Sequence, residues 1–493
     1  MTQSPLGNNW TTLDKDLKRI GQLELATAYV ARPLVGTGIA LVFLILAGVA
    51  AAIFFEQSAN SLAVIIASVF GAYLAINIGA NDVANNMGPA VGARVITLGG
   101  ALIIAAICES AGALLAGGHV ITTISQDIIH APNVADPEHV IWAMLASLIG
   151  AALWINVSTW VGAPVSTTHS IIGAVLGAGV AALGLSAVNW STVLSIAAGW
   201  LVAPILGGIV AACFLALIKS RVIYRDDKIA AARFWVPILV GLITGAFATY
   251  LASFGLSKVV SISLQNGLLI GIALGGVLWA LSRPFIRHQS EEMENRNKSL
   301  KILFRLPLMI AAAMLSFAHG ANDVANAVGP VAAIAHTVQN GPIGGAIEIP
   351  QWVILIGALG ISFGLLLFGP RLISVVGDQI TKLNPMRAFC VVLSSAMTVI
   401  LASSFGLPVS STHVAVGGIF GVGFFREWYM ARRFRKTRGG LAQDQTIASV
   451  ERRRRKLVRR SHFLTVIAAW VITVPASALL SSLVYSVINL FLG

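Results

Sequence analysis

The chain has 493 residues, 57% hydrophobic and only 11% charged, with a mean hydropathy of +0.84 and a formal net charge of +13. A soluble globular domain carries roughly 25% charged residues, so most of this chain does not face water. Its Lys and Arg residues collect between apolar stretches without interleaved aromatics, the pattern of cytoplasmic loops and not of a nucleic-acid partner.

The first 33 residues are polar and charged, and no cleavable signal peptide precedes the first apolar stretch. From there, apolar windows predict spans at 34–56, 61–80, 97–117, 139–159, 164–186, 191–218, 235–255, 264–282, 303–320, 350–369, 387–405, 410–425 and 463–491. Lipid admits only helices or closed barrels, and the short alternating segments of a barrel are missing, so an all-α membrane protein of 12–13 spans is expected. With Lys15, Lys18, Arg19 and Arg32 in the cytoplasm, the basic loops 219–234, 283–302, 370–386 and 426–462 also fall inside. The last of these holds thirteen Lys/Arg against three acidic residues, and its run Arg452–Arg455 suits lipid headgroups. The loop 118–138 falls outside; His119 and His130 within it and His139 just after it resemble a metal cluster only weakly and are assigned no role. Cys108, Cys213 and Cys390 all lie in apolar stretches and read as small core hydrophobes.

The informative feature is a repeat. Residues 79–89, Gly-Ala-Asn-Asp-Val-Ala-Asn-Asn-Met-Gly-Pro, recur at 320–330 as Gly-Ala-Asn-Asp-Val-Ala-Asn-Ala-Val-Gly-Pro. Residues 162–169, Gly-Ala-Pro-Val-Ser-Thr-Thr-His, recur at 406–413 as Gly-Leu-Pro-Val-Ser-Ser-Thr-His. The offsets are 241 and 244 residues, so order and spacing are both kept, as in a duplication. An odd number of topological steps separates the two Asn-Asp motifs, so the copies insert with opposite orientations. Inverted repeats with Gly/Pro-interrupted or re-entrant helices place a binding site at their interface. Segments 61–218 and 303–491 are the expected repeats, 219–302 links them with two helices, and 1–60 adds a cytoplasmic segment and an extra helix.

Asp82 and Asp323 are carboxylates in apolar context, each followed three residues later by an asparagine, Asn85 or Asn326. An intramembrane carboxylate is costly and marks function; a loop aspartate capping a helix is the plainer alternative. With backbone carbonyls freed by a helix break, these oxygens suit a hard monovalent cation or a proton. Each Pro-Val-Ser-(Ser/Thr)-Thr-His segment opens an apolar, glycine-rich run, so its amides, its hydroxyls and the positive end of the helix dipole form an anion cradle. Ordinary N-capping is the plainer reading there. No Lys or Arg lies inside the motifs, so co-bound cations must help balance an anion. Glu109, mid-span, is a candidate for coupling, and His169 and His413 either relay protons or sit in the core.

These motifs resemble the PiT family of inorganic phosphate transporters, whose halves each carry Gly-Ala-Asn-Asp-x-Ala-Asn followed by Pro-x-Ser-x-Thr-His. The resemblance spans roughly residues 61–491 and implies phosphate symport with Na⁺ or H⁺ by alternating access through twelve spans. Carried over by motif, it implies phosphate held by Ser166, Thr167, Thr168, Ser410, Ser411 and Thr412, with Asn81, Asp82, Asn322 and Asp323 close by. It implies cations at Asp82, Asn85, Asp323 and Asn326, with Glu109 matching one intramembrane glutamate of sodium-coupled relatives and Val392 standing where a second is expected. The chain departs by adding about 60 residues with a span before the first motif. The expected partners are inorganic phosphate, Na⁺ or H⁺ and the lipid bilayer, with a homo-oligomer left open. No cofactor, no enzymatic activity and no nucleic acid are expected. The expected location is a cell membrane, as a multi-pass protein of the bacterial inner-membrane type. Sulfate on the same machinery is the nearest alternative; an intramembrane aspartyl protease leaves the paired Ser-Thr segments unexplained, and a passive channel is a third class.

Overall fold

A computed structural model describes residues 34–55, 60–129, 137–161, 165–256, 260–341, 348–373, 383–437 and 460–492. The N-terminal basic residues, His130, residues 162–164 and Arg452–Arg455 lie outside them. Thirteen principal helices follow in order: α1 Leu34–Phe54, α2 Ser61–Gly92, α3 Leu98–Ala116, α4 Glu138–Val161, α5 Thr167–Leu183 and α6 Trp190–Ile218. Then come α7 Lys228–Tyr250, α8 Leu264–Gln289, α9 Arg305–Asn340, α10 Gln351–Leu367, α11 Pro385–Ser404, α12 Ser411–Thr437 and α13 Arg460–Leu492. Among the described residues the only β pairing is one isolated bridge, Ile129 with Val188. Gly118–Thr122 and a π turn at Thr123–Asp127 form helix inside the expected outer loop.

Each predicted span meets one helix, but the spans are not alike. Ten helices are long and apolar enough to cross a membrane, while α5 and α10 have only 17 residues each. The apolar side chains left exposed form the lipid face, such as Leu201, Val202 and Ile205 on α6 and Leu479 and Leu483 on α13. The polar side chains are inside, which inverts the arrangement of a soluble protein. Helix α1 lies against α2 and α10, with Ala47 beside Ala72 and Ile76, Phe43 near Phe363, and Phe54 stacked on Trp352 at 5.5 Å.

Two expectations about the Asn-Asp motifs need correction. Hydropathy windows end the second and ninth spans at 80 and 320, yet α2 and α9 run unbroken through both motifs, to Gly92 and Asn340. The motif asparagines and aspartates therefore project from intact helices, and no break frees backbone carbonyls there. They lower local hydropathy without ending the helix because their side chains find partners inside the protein. The helix breaks fall instead at the Ser-Thr segments. There α4 and α5 form one hairpin and α11 and α12 another, with Gly406 (φ +67°) turning the second tip through a left-handed conformation open to glycine.

The repeats interlock. Helix α13 of the second repeat packs on α4 and α5 of the first, and α6 of the first packs on α12 of the second. Helices α3 and α10 cross where Ser110 Oγ meets Ser362 Oγ at 2.6 Å. On either side of that contact, Ser110 donates to the carbonyl of Ala358 and Ser362 to that of Ala106. This reciprocity places the pseudo-twofold axis between the two serines and pairs α3 with α10 at an offset of 252 residues.

Glycines allow the closest crossings. Gly320 lies on the carbonyl of Glu109, and Gly79 lies on that of Ile361 in the mirrored contact. A Cβ at either position would run into backbone, which cannot swing aside as a side chain can. Gly320→Ala or Gly79→Ala should therefore destabilise by at least about 1–3 kcal/mol. Gly276→Ala, whose Cβ meets open space on α8, should be neutral or stabilising through helix propensity. Thermal unfolding of the detergent-solubilised variants separates the two outcomes.

Candidate functional site

The first turns of α5 and α12 lie inside the protein and touch. The rings of His169 and His413, in the first turns of α5 and α12, lie 4.7 Å apart, and Thr168 Oγ1 donates to the carbonyl of Val409 at 3.4 Å. Trp200 on α6 packs against His169 at 3.9 Å, and its Nε1 donates to the carbonyl of Pro408 in the opposite tip. Because the repeats are inverted, the positive ends of α5 and α12 converge from opposite sides.

The aspartates of α2 and α9 meet these ends crosswise. Asp82 accepts from Thr167 Oγ1 of its own repeat at 3.4 Å and from Thr412 Oγ1 of the other at 3.0 Å. Asp323 accepts from Ser411 Oγ of its own repeat at 3.1 Å and from Thr168 Oγ1 of the other at 3.5 Å. The asparagines complete the pattern. Asn85 Nδ2 donates to Asp82 at 3.1 Å and to Thr412 at 2.8 Å, and Asn326 Nδ2 donates to Asp323 at 3.4 Å and to Thr168 at 3.1 Å. Asp82 and Asp323 are both buried, as membrane carboxylates bonded within a helix bundle must be. Neither caps a helix, which removes the loop-aspartate alternative.

The remaining expected residues take other places. Asn322 fastens the second tip: its Nδ2 donates to Ser403 Oγ and to the carbonyl of Leu407, and its Oδ1 accepts from the amide of Val409. Asn81, half-buried one residue before Asp82, makes none of the described hydrogen bonds to the cluster. Ser166 caps α5 by accepting from the amide of His169 at 3.3 Å, and Ser410 accepts from the amide of His413 at 3.4 Å. The first serine of each segment thus follows the N-capping reading, while the next two hydroxyls reach the carboxylates. His139 bonds Tyr485 at 2.8 Å and belongs to no metal cluster.

Glu109 on α3 is fully buried and accepts from Asn86 Nδ2 at 2.9 Å. Beside it stands a residue that motif reasoning passed over, His319, directly preceding the second motif. Its Nδ1 lies 3.1 Å from Glu109 Oε2, and its Nε2 lies 2.8 Å from Asp323 Oδ2 and 3.7 Å from Asp82 Oδ2. Neither ring nitrogen makes an aligned hydrogen bond, and each faces a carboxylate oxygen at close range. Among the described residues His319 is the only basic side chain in ion-pair range of Asp82, Glu109 or Asp323. A histidine in an apolar run, with isoleucine at the matching place of the first copy, was the available signal.

The donor set suits a hard cation. It offers carboxylate, amide and hydroxyl oxygens, and the buried Oδ1 of Asn326, next to Asp323, accepts no hydrogen bond. Atoms of Asp82, His319 and Asp323 lie within 4.8 Å of one another. Val392, by contrast, is buried among apolar residues on α11. The pseudo-symmetric mate of Glu109 is Ile361, since Gly320 on Glu109 mirrors Gly79 on Ile361.

Comparison with known proteins gives the chain its family. A solved structure of a protein named "The sodium-dependent phosphate transporter" superposes with a TM-score of 0.77 at 35% identity, covering 87% of this chain and all of that one. A Helicobacter pylori protein named "Putative phosphate permease" is 41% identical over 95% of this chain and 98% of its own length. "Inorganic phosphate transporter 2-1, chloroplastic" of Arabidopsis thaliana is 34% identical over 84% of this chain and 70% of its own length. Residues 78–481, which hold both motif pairs and the carboxylates they bring together, match the Phosphate transporter family, and the chain belongs to that family.

Proposed function

We propose that the chain is a secondary active symporter that takes up inorganic phosphate with Na⁺ by alternating access. The observation that carries this reading is the crosswise set of four hydroxyls, from two opposed helix N-termini, on two buried aspartates. The hydroxyls and helix ends suit a small tetrahedral anion, and the carboxylates suit its counter-cations. Phosphate as HPO₄²⁻ still has a proton to donate to Asp82 or Asp323, whereas sulfate has none. The family and the names of its relatives lend sulfate no support. Na⁺ is favoured over H⁺ by the oxygen-rich donor set and by the likeness to a solved transporter named as sodium-dependent.

Coupling follows from a limited supply of protons. Each hydroxyl has one hydrogen to donate: Thr167, Ser411 and Thr412 point theirs at a carboxylate, and Thr168 has Asp323 and the carbonyl of Val409 within reach. A cation on the carboxylates takes over their lone pairs and leaves the hydroxyls free to turn towards phosphate. Parting of the His169–His413 contact on one side would then open the site.

In proteoliposomes, an inward Na⁺ gradient should drive phosphate above its equilibrium level, and excess sulfate should not compete. Accumulation driven by a proton gradient alone overturns Na⁺ coupling, efficient competition by sulfate overturns the substrate, and purely downhill flux points to a channel. Thr168→Val and Thr412→Val each remove a hydroxyl worth about 1.5–3 kcal/mol to a charged partner. Each should raise the KM for phosphate at least about tenfold. Ser166→Ala should instead lower stability by about 1 kcal/mol and leave that KM within about twofold, read by uptake and thermal unfolding side by side.

A further inference from the structure

The pseudo-twofold relation holds for the four hydroxyls, for Asp82 and Asp323 and for Asn85 and Asn326, but it fails for a buried cluster beside them. At the offset that superposes Asp82 on Asp323, His319 corresponds to Ile78. At the offset that superposes Ser110 on Ser362, Glu109 corresponds to Ile361. Asn86, which donates to Glu109, corresponds to Ala327. Three polar residues in contact thus replace three small or apolar ones, in one half only. All three are fully buried, at 0% exposure.

A duplication starts with both halves alike, and burying a charged pair where an isoleucine pair packs costs free energy. Stability is therefore no reason for the pair. Its orientation supplies one: Glu109 lies against Nδ1, on the far side of the ring from the site, and Nε2 faces both aspartates. The pair is a dipole whose positive end is aimed at the place where cations would bind.

Resting on the reading above, we propose that His319, clamped by Glu109, is a positioning residue that supplies one fixed positive end to the paired aspartates and so lowers the demand for cations when phosphate binds. Asp323, 2.8 Å from the ring, is the carboxylate nearer to this side chain, besides its bonds from Ser411, Thr168 and Asn326. Asp82, at 3.7 Å, depends more on an exchangeable ion. The two halves, equal in their hydroxyls, are unequal in their charge.

The experiment is phosphate uptake into proteoliposomes at low and at saturating Na⁺ for wild type, H319Q and the double variant E109Q/H319Q. H319Q removes the positive end and leaves Glu109 uncompensated. Its KM for phosphate should rise about tenfold at low Na⁺ and return to within about twofold of wild type at saturating Na⁺, with a steeper dependence on Na⁺. The double variant, with the surplus negative charge removed, should fall between the two at low Na⁺. A rise in KM that is the same at every Na⁺ concentration, or a double variant no better than H319Q, overturns the proposal. Should H319Q fail to fold, as thermal unfolding would show, the double variant alone must still show a phosphate KM that Na⁺ restores. Wild type that shows no Na⁺-dependent uptake overturns the functional reading itself, which separates the two failures.

Discussion

Two carboxylates buried in the middle of an apolar helix bundle are the constraint on which the rest of this structure depends. Both are buried, and among the described residues no lysine or arginine reaches them. Their hydrogen bonds must come from within, and four hydroxyls supply them, two from each repeat. Those hydroxyls reach the centre only if α5 and α12 begin there, so the buried starts of these two helices follow from the need to serve the aspartates. The close glycine crossings follow in turn. For Asp82 and Asp323 to approach opposite hairpins, α2 must lie on α10 and α9 on α3 at backbone contact, and Gly79 and Gly320 permit it.

Much of this was legible in the sequence because the bilayer simplifies the problem. Apolar length alone identifies thirteen helices, and two motif offsets establish the duplication. Boundaries were legible where lipid decides them and illegible where protein does. The windows stop at 80 and 320 because Asn and Asp are expensive in lipid, but α2 and α9 are not in lipid there. Their motif side chains bond Thr412, Thr168 and Ser403, more than 80 residues away in the chain. Ser166 and Ser410 look the same in sequence as the hydroxyls that follow them. Only the turn of each helix shows that the first faces its own backbone and the next two face the carboxylates. His319 was missed for the opposite reason: it has no copy in the first half, and a search guided by repetition passes over what is not repeated.

The symmetry also explains what lies off it. The expectation placing a second glutamate at Val392 compares an α11 residue with Glu109 on α3, and those helices are not mates. Once Ser110 and Ser362 mark the axis, α3 pairs with α10 and the relevant position is Ile361. Three departures from the twofold, Asn86, Glu109 and His319, form one contiguous cluster beside the aspartates. Departures scattered over the surface would suggest drift. A buried and mutually bonded group suggests selection for a difference between the halves.

On the proposed reading, the same hydroxyls explain why neither ion is bound well alone. A threonine oxygen has one hydrogen and two lone pairs. The hydrogen of Thr412 goes to a carboxylate, and one of its lone pairs accepts from Asn85 while the other remains. An arriving anion finds no donor without stripping a carboxylate of its bond, which leaves a buried charge unsatisfied and is expensive. An arriving cation can take the carboxylate and the hydroxyl lone pairs together, which turns the hydrogen outward. The anion then meets donors already aimed at it, with its charge balanced one bond away. Thr168 and Thr412 each carry this exchange across the boundary between repeats, because each serves the aspartate of the opposite half. Cation and anion binding are thereby tied to the contact between repeats, the contact that alternating access must make and break.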